Sequence, residues 1–160
     1  MFGSRIGVEK ERQADLKQSE NVVTEAYGQV RVGAHTKAWE LLQSWLASRG
    51  HAVEDYRWVR DKVVSWPDAR YADRLSQEYV DRLLAVKRDG EALDAVRDRL
   101  RLDRAFRPKS AAATLRIAQL AASGGGAAAV ARILLSDFSV RFAGHPLVET
   151  AATLAQHLSD

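Results

Sequence analysis

The stretch from residue 127 to residue 158 constrains the fold most, because it has the pattern of two amphipathic helices joined by a short break. Its apolar positions recur at helical spacing on each side of the break: Val130, Ile133, Leu134 and Phe138 before it, and Leu147, Ala151, Leu154 and Leu158 after it. Gly144 can adopt the left-handed conformation that ends a helix, and Pro146 suits the first turn of the next helix. Two such helices are expected to pack together as a hairpin.

The same pattern extends over most of the chain and predicts an all-α fold. We place helical hairpins at about 36–66, 68–107 and 110–143, followed by a C-terminal helix at 146–158. Together with an extra N-terminal helix they form one predicted domain over residues 21–160, and residues 1–20 are expected to be a charged tail or a frayed helix. No segment alternates apolar and polar residues over the length of a strand, so no sheet is predicted.

The breaks between the predicted helices recur along the chain. Each of the three prolines follows an aromatic residue, in Trp66-Pro67, Phe106-Arg107-Pro108 and Phe142-Ala143-Gly144-His145-Pro146. Glycines and prolines together mark an interval of about 34–41 residues for each helix pair. An internal period of this size is typical of an α-solenoid, in which each hairpin buries its apolar face against the next.

These repeats give the chain a resemblance to the tetratricopeptide family over roughly residues 36–158. That family uses two-helix units of about 34 residues with a proline near the end of the second helix. The segment ILLSDFSVRFAGHPLVETAATLA is similar to the second helix, turn and following helix of such units, and Phe138 stands where the family often has its second-helix aromatic residue. The resemblance implies a short right-handed solenoid that binds proteins, often on a concave face lined by the first helices.

Residue types that carry chemistry are few or badly placed. The absence of cysteine excludes disulfides, thiolate metal sites and cysteine nucleophiles. The four histidines form no i, i+4 pair and stand at no metal-ligand spacing from a carboxylate; they are His35, His51, His145 and His157. The glycines at 124–126 lack the preceding strand and the Lys-Ser/Thr pair of a phosphate-binding loop. We therefore predict no catalytic residue, no cofactor and no metal.

Tryptophan is concentrated in one part of the chain, since all four tryptophans lie between residues 39 and 66. Trp45 and Trp66 fit the buried stripes of their helices, whereas Trp39 and Trp58 fall outside them. Exposed tryptophans are frequent anchors in protein interfaces, so Trp39 and Trp58 are candidate partner-binding residues. Packing against the N-terminal helix explains the two residues equally well.

A stripe of arginines supplies the second set of candidate contacts. Arg97, Arg101 and Arg104 share one face of a predicted helix and could grip a phosphate backbone. Aspartates at 94, 98 and 103 are interleaved at salt-bridging spacing, which favours a solvated face of mixed charge. No aromatic residue alternates with the arginines to stack bases, and the net charge is only +3, so nucleic acid is the less favoured partner.

The sequence favours a non-enzymatic scaffold or adaptor that binds a protein or peptide. The alternatives are a helical domain that binds nucleic acid through the Arg97–Arg104 stripe and a self-assembling structural protein. A homodimer would pair the C-terminal helix, whose outer face includes the apolar Ala152 and Ala155. No apolar run is long enough to span a membrane. We expect a cytoplasmic protein, although the soluble domain of a longer membrane-anchored protein would have the same features.

Overall fold

The structure is a computed structural model that describes residues 2–124 and 126–159, with side chains described from residue 7 onward. The chain forms two compact units, Met1–Asp68 and Ala69–Asp160. The regular elements of the described residues are all helices, and no strand occurs among them. The predicted all-α class is thereby confirmed.

The first unit is built from α1 (Phe2–Arg31), α2 (His35–Ser48) and α3 (Val53–Val63). Its fully buried side chains are small or aliphatic and come from all three helices: Ala26, Ala38, Leu42, Leu46, Val59 and Val63. Burial of these side chains removes apolar surface from water and supplies the main driving force for the unit. Helix α1 runs without interruption past residue 20, where the sequence suggested the end of a tail.

The long α1 packs principally on α2, which differs from the predicted hairpin at 36–66. The buried indole of Trp45 donates a hydrogen bond from Nε1 to Ser19 Oγ at 3.2 Å. One helical turn away, Arg49 Nη1 donates to Asp15 Oδ1 at 2.7 Å. These polar contacts join α2 to α1, and the same two residues also reach α3, because the Trp45 ring contacts Trp58 and Arg49 Nε lies 2.9 Å from Asp55 Oδ1.

The second unit contains α4 (Ala69–Ala85), α5 (Asp89–Leu102), α6 (Ala111–Ser123), α7 (Ala128–Leu135), the short α8 (Phe138–Arg141) and α9 (Val148–Ser159). Each of the first three helices packs on its successor, and α9 covers α7 and α8. The centre of the unit is formed by fully buried side chains from successive helices, among them Leu75, Leu83, Val96, Ile117 and Leu134. Neighbours in sequence are therefore neighbours in space.

Two breaks in the second unit differ from the sequence pattern, which predicts a helix end at Gly90 and one continuous helix before the turn at Gly144. Lys87, with φ of 64°, takes the left-handed conformation after α4, whereas Gly90 lies inside the first turn of α5. The predicted helix from 127 onward stops at Leu135, and α8 begins only after Asp137. Asp137 lies at this break, and its carboxylate accepts a hydrogen bond from Arg107 Nε at 3.1 Å.

The break before α9 lies where the sequence predicts it. Gly144 has φ of 79°, a conformation that side-chain-bearing residues rarely adopt. Pro146 lies in the turn just before α9 rather than within its first turn. The His145 ring fixes this turn, because its Nδ1 accepts a hydrogen bond from the Leu147 backbone N–H at 3.1 Å.

The Ser19–Trp45 contact gives a test of the α1–α2 packing. We expect Ser19→Ala to lower the free energy of unfolding by about 1–2 kcal/mol, because it leaves a buried indole N–H without an acceptor. Urea denaturation followed by tryptophan fluorescence measures the change. Ser44→Ala is the matched control, since Ser44 is exposed on α2 and its replacement should change stability by less than about 0.5 kcal/mol. Equal effects of the two substitutions would contradict the proposed role of the hydrogen bond.

Candidate functional site

Helix α5 has two chemically different faces. The buried face carries Ala92, Ala95, Val96, Arg99 and Leu100. On the other side Arg97 is half-buried and Arg101 is exposed, and Arg104 follows just after the helix end, also exposed. The spacing of four residues places Arg97 and Arg101 on one side of α5. Arg104 was predicted on the same helix face, but it lies beyond the helix end and reaches the same groove from the following turn.

The three arginines meet at an open groove of about 440 Å³. The remaining lining residues are Leu100 of α5 and, from the start of α7 and the turn before it, Gly126, Ala129, Val130 and Ile133. Helices α5 and α7 both pack on α6, which therefore supports both walls. The volume lies within the range of roughly 300–1,000 Å³ that is usual for ligand sites in proteins.

The chain neutralises only part of the positive charge at this groove. Arg101 Nη1 lies 3.3 Å from Asp98 Oδ1, in a pair whose side chains are 70% and 65% exposed, and so exposed a pair attracts weakly. The Arg97 and Arg104 side chains make no hydrogen bond or ion pair within the part of the chain whose side chains the structure describes. No acidic residue lines the groove among these residues. Two guanidinium groups thus remain available to a ligand.

Asp103 does not neutralise the arginines of the groove. Its backbone is extended, with φ of −146° and ψ of 99°, and it follows Arg101 by two residues, a spacing at which side chains on a helix do not face each other. The Asp103 carboxylate accepts a hydrogen bond from the Ala105 backbone N–H at 3.0 Å. The aspartate nearest to Arg104 in sequence is therefore engaged elsewhere.

An ion pair with α4 holds α5 in this orientation. Arg99 Nε donates to Asp73 Oδ1 at 2.6 Å, and the Arg99 side chain is only 9% exposed. Burial raises the pKa of Asp73, the neighbouring Asp103 raises it further, and Arg99 acts in the opposite direction.

The two candidate tryptophans lie in the first unit and form no part of the groove lining. Trp39 is half-buried on α2 and Trp58 is half-buried on α3. The Trp58 ring contacts that of the buried Trp45, with centroids 5.4 Å apart, and Lys62 Nζ lies 5.3 Å from the Trp58 centroid. Intramolecular packing therefore accounts for much of the Trp58 surface.

The wall contributed by α7 was not predicted as part of a site. Val130 and Ile133 were assigned to the buried stripe, but both are half-buried and line the groove. The buried positions of α7 are Ala131, Leu134 and Leu135. The sequence feature that could have indicated this wall is the width of the apolar stripe of α7, because Val130 and Ile133 extend the stripe beyond the face that the core covers.

A second polar cluster ties α8 to the connection between α5 and α6. Arg107 Nε donates to Asp137 Oδ1, and Arg141 Nη2 donates to the Pro108 carbonyl at 3.0 Å. Arg141 Nη1 is buried without a hydrogen-bond partner. Burial lowers the pKa of Arg141, opposed by the charge of Asp137. This cluster connects elements of the second unit.

The histidine contacts that the structure shows are local. His51, at φ of 55° in the turn after α2, lies with its Nδ1 2.9 Å from the Tyr56 hydroxyl.

Among the described residues no group of three or more His, Cys, Asp or Glu side chains could hold a metal ion. Within the same residues, no helix combines the length and the apolar character that crossing a membrane requires.

Comparisons with protein-family models, with curated proteins and with solved structures returned no match to this chain.

The contact between Trp58 and Trp45 predicts a structural cost for loss of the Trp58 ring. We expect Trp58→Ala to reduce the free energy of unfolding by about 1–3 kcal/mol, because the substitution removes a half-buried ring and uncovers Trp45. Trp58→Phe should lower the free energy of unfolding clearly less, because it keeps an aromatic ring over Trp45. Chemical denaturation of both variants measures the difference. An unchanged stability in Trp58→Ala would leave partner binding as the better explanation of this residue.

The raised pKa of Asp73 predicts a specific pH effect. Because its folded pKa lies above the ordinary value, Asp73 stabilises the fold most in acid, and this contribution is lost as the pH rises through the folded pKa. Asp103→Asn should lower the pKa of Asp73, since an amide adds no negative charge and can donate a hydrogen bond to the carboxylate.

Carbon-13 NMR titration of the Asp73 carboxyl group measures this change. Asp98→Asn is the matched control, because it removes the same charge from an exposed position of α5. We expect the midpoint of Asp73 to fall in Asp103→Asn and to stay unchanged in Asp98→Asn. An equal fall in both variants would show that distant charge, rather than the Asp103 contact, sets the pKa.

Proposed function

We propose that this protein is a non-enzymatic interaction module that binds a peptide segment of a partner protein in the groove between α5 and α7. The observation that carries the proposal is the convergence of Arg97, Arg101 and Arg104 on a groove that also has an apolar wall. Interfaces are typically built from an apolar centre and a polar rim, and arginine is enriched in them.

A tetratricopeptide-like arrangement belongs to the same proposal. It is supported within the second unit by the order of packing, in which α4 contacts α5, α5 contacts α6 and α6 contacts α7. In a solenoid of this kind, consecutive hairpins leave elongated grooves between helices that are not adjacent in sequence. The α5–α7 groove has such a position, since α6 separates its two walls along the chain.

Nucleic acid is the second candidate partner, favoured by the three guanidinium groups at one opening. None of the lining residues in the described part of the chain is aromatic, so the groove offers no surface on which bases could stack. Apolar wall residues also give a phosphate backbone nothing to contact favourably. These two features rank a peptide above a nucleic acid.

Selection from a phage library of short random peptides tests the proposed function, with the whole chain as bait. We expect enriched peptides that bind the wild-type protein and lose binding to Ala129→Trp. Ala129 is exposed and lines the groove, so an indole at this position fills the space without disturbing the core. Affinity is measured by fluorescence anisotropy with synthetic copies of the selected peptides.

The matched control is Ala152→Trp, which places the same bulk on an exposed position of α9 outside the groove lining. Binding should survive this change. Peptides that bind both variants equally, or no enrichment against the wild-type chain, would contradict the proposal. Loss of binding in Ala152→Trp alone would move the interaction surface to the C-terminal helix, where the sequence suggested self-association.

A further inference from the structure

We propose that the segment bound in the α5–α7 groove is an acidic peptide that also carries an aliphatic side chain, an inference that rests on the proposed function. The groove combines unpaired guanidinium groups with an aliphatic wall. A ligand that satisfies both needs carboxylates on one side and a branched apolar side chain on the other. This requirement defines the partner by its chemistry.

The charge argument starts from the arginines that the chain leaves without partners. Arg97 and Arg104 have no hydrogen bond or ion pair within the part of the chain whose side chains are described, and Arg101 has only an exposed partner. Carboxylates accept two parallel hydrogen bonds from a guanidinium group, a geometry that planar arginine provides and lysine does not. Arg97 is half-buried, so a carboxylate that reaches it is partly shielded from solvent and is attracted more strongly than at an open surface.

The apolar wall sets the second requirement. Leu100, Val130 and Ile133 contribute aliphatic surface to the groove, and Ala129 leaves room beside them. Leucine, isoleucine or valine of a ligand would bury surface there at a favourable free energy of transfer. A free inorganic anion or a phosphate backbone would contact the arginines and leave this aliphatic surface exposed to water. The aliphatic residue is therefore part of the recognition.

The decisive experiment measures fluorescence anisotropy with four labelled probes. The first is a short peptide with glutamates and leucines in a glycine–serine background. The second replaces its glutamates by glutamine, the third replaces its leucines by serine, and the fourth is an oligothymidylate. We expect the first peptide to bind about tenfold more tightly than the second or the third, a factor usual for loss of one good contact at an interface.

The site is tested with Arg97→Gln/Arg104→Gln, which removes the two unpaired charges. Arg57→Gln/Arg82→Gln is the matched control, because it removes two exposed arginines that do not line the groove. The acidic peptide should lose about tenfold in affinity in the first double variant and keep its affinity in the control. A circular dichroism spectrum equal to that of the wild type establishes that the variants are folded.

Three results would overturn the inference. Equal binding of the glutamate and glutamine peptides would show that acid is not recognised, and tighter binding of oligothymidylate would assign the arginines to nucleic acid. Absence of binding to the acidic peptide would also reject it. The proposed function is judged separately, because library peptides of neutral or basic composition that occupy the groove would support an interaction module while contradicting an acidic partner.

Discussion

The ion pair between Arg99 and Asp73 is the contact on which the arrangement of the second unit depends. Arg99 occupies the same buried face of α5 as Val96 and Leu100, so it must enter the interior with a charge. A buried guanidinium group without a carboxylate partner would cost several kcal/mol. Asp73 of α4 supplies that partner at 2.6 Å. The pair therefore links α5 to α4 through the face that also carries the apolar contacts of α5.

The groove illustrates how an interior contact shapes a surface. When Arg99 is directed at α4, Arg97 and Arg101 are carried to the other side of the helix by its geometry. The helix ends at Asp103, whose backbone is extended. No acidic residue lines the groove in the described part of the chain, so its outer side keeps an excess of positive charge beside an aliphatic wall.

Local features of the sequence predicted a large part of the fold. Leu75, Tyr79 and Leu83 recur every four residues and are buried on one face of α4, as amphipathic spacing predicts, and Gly144 identified the break before α9. Interruptions that depend on distant partners were not predictable in this way. Asp137, at the break between α7 and α8, contacts Arg107, which is 30 residues earlier in the chain, and no local pattern carries that information.

Only the arginine side of the candidate groove was predictable from the sequence. The sequence placed Arg97, Arg101 and Arg104 on one helix face, but it could not place α7 opposite them, because that position depends on how both helices pack on α6. The pairing of α2 with α1 was missed for the same reason. Amphipathic patterns show that a face is covered, and they do not show which neighbour covers it.

The packing of successive helices in the second unit has a consequence for how the chain folds. Contacts between neighbours in sequence close short loops, and the entropy lost in closing a loop grows with its length. Helical proteins dominated by such contacts have low contact order and cross a low topological barrier. The α4–α5 and α6–α7 pairs can each form early and then join through the contact of α5 with α6. The groove, whose walls come from both pairs, is then among the last features of the unit to be completed.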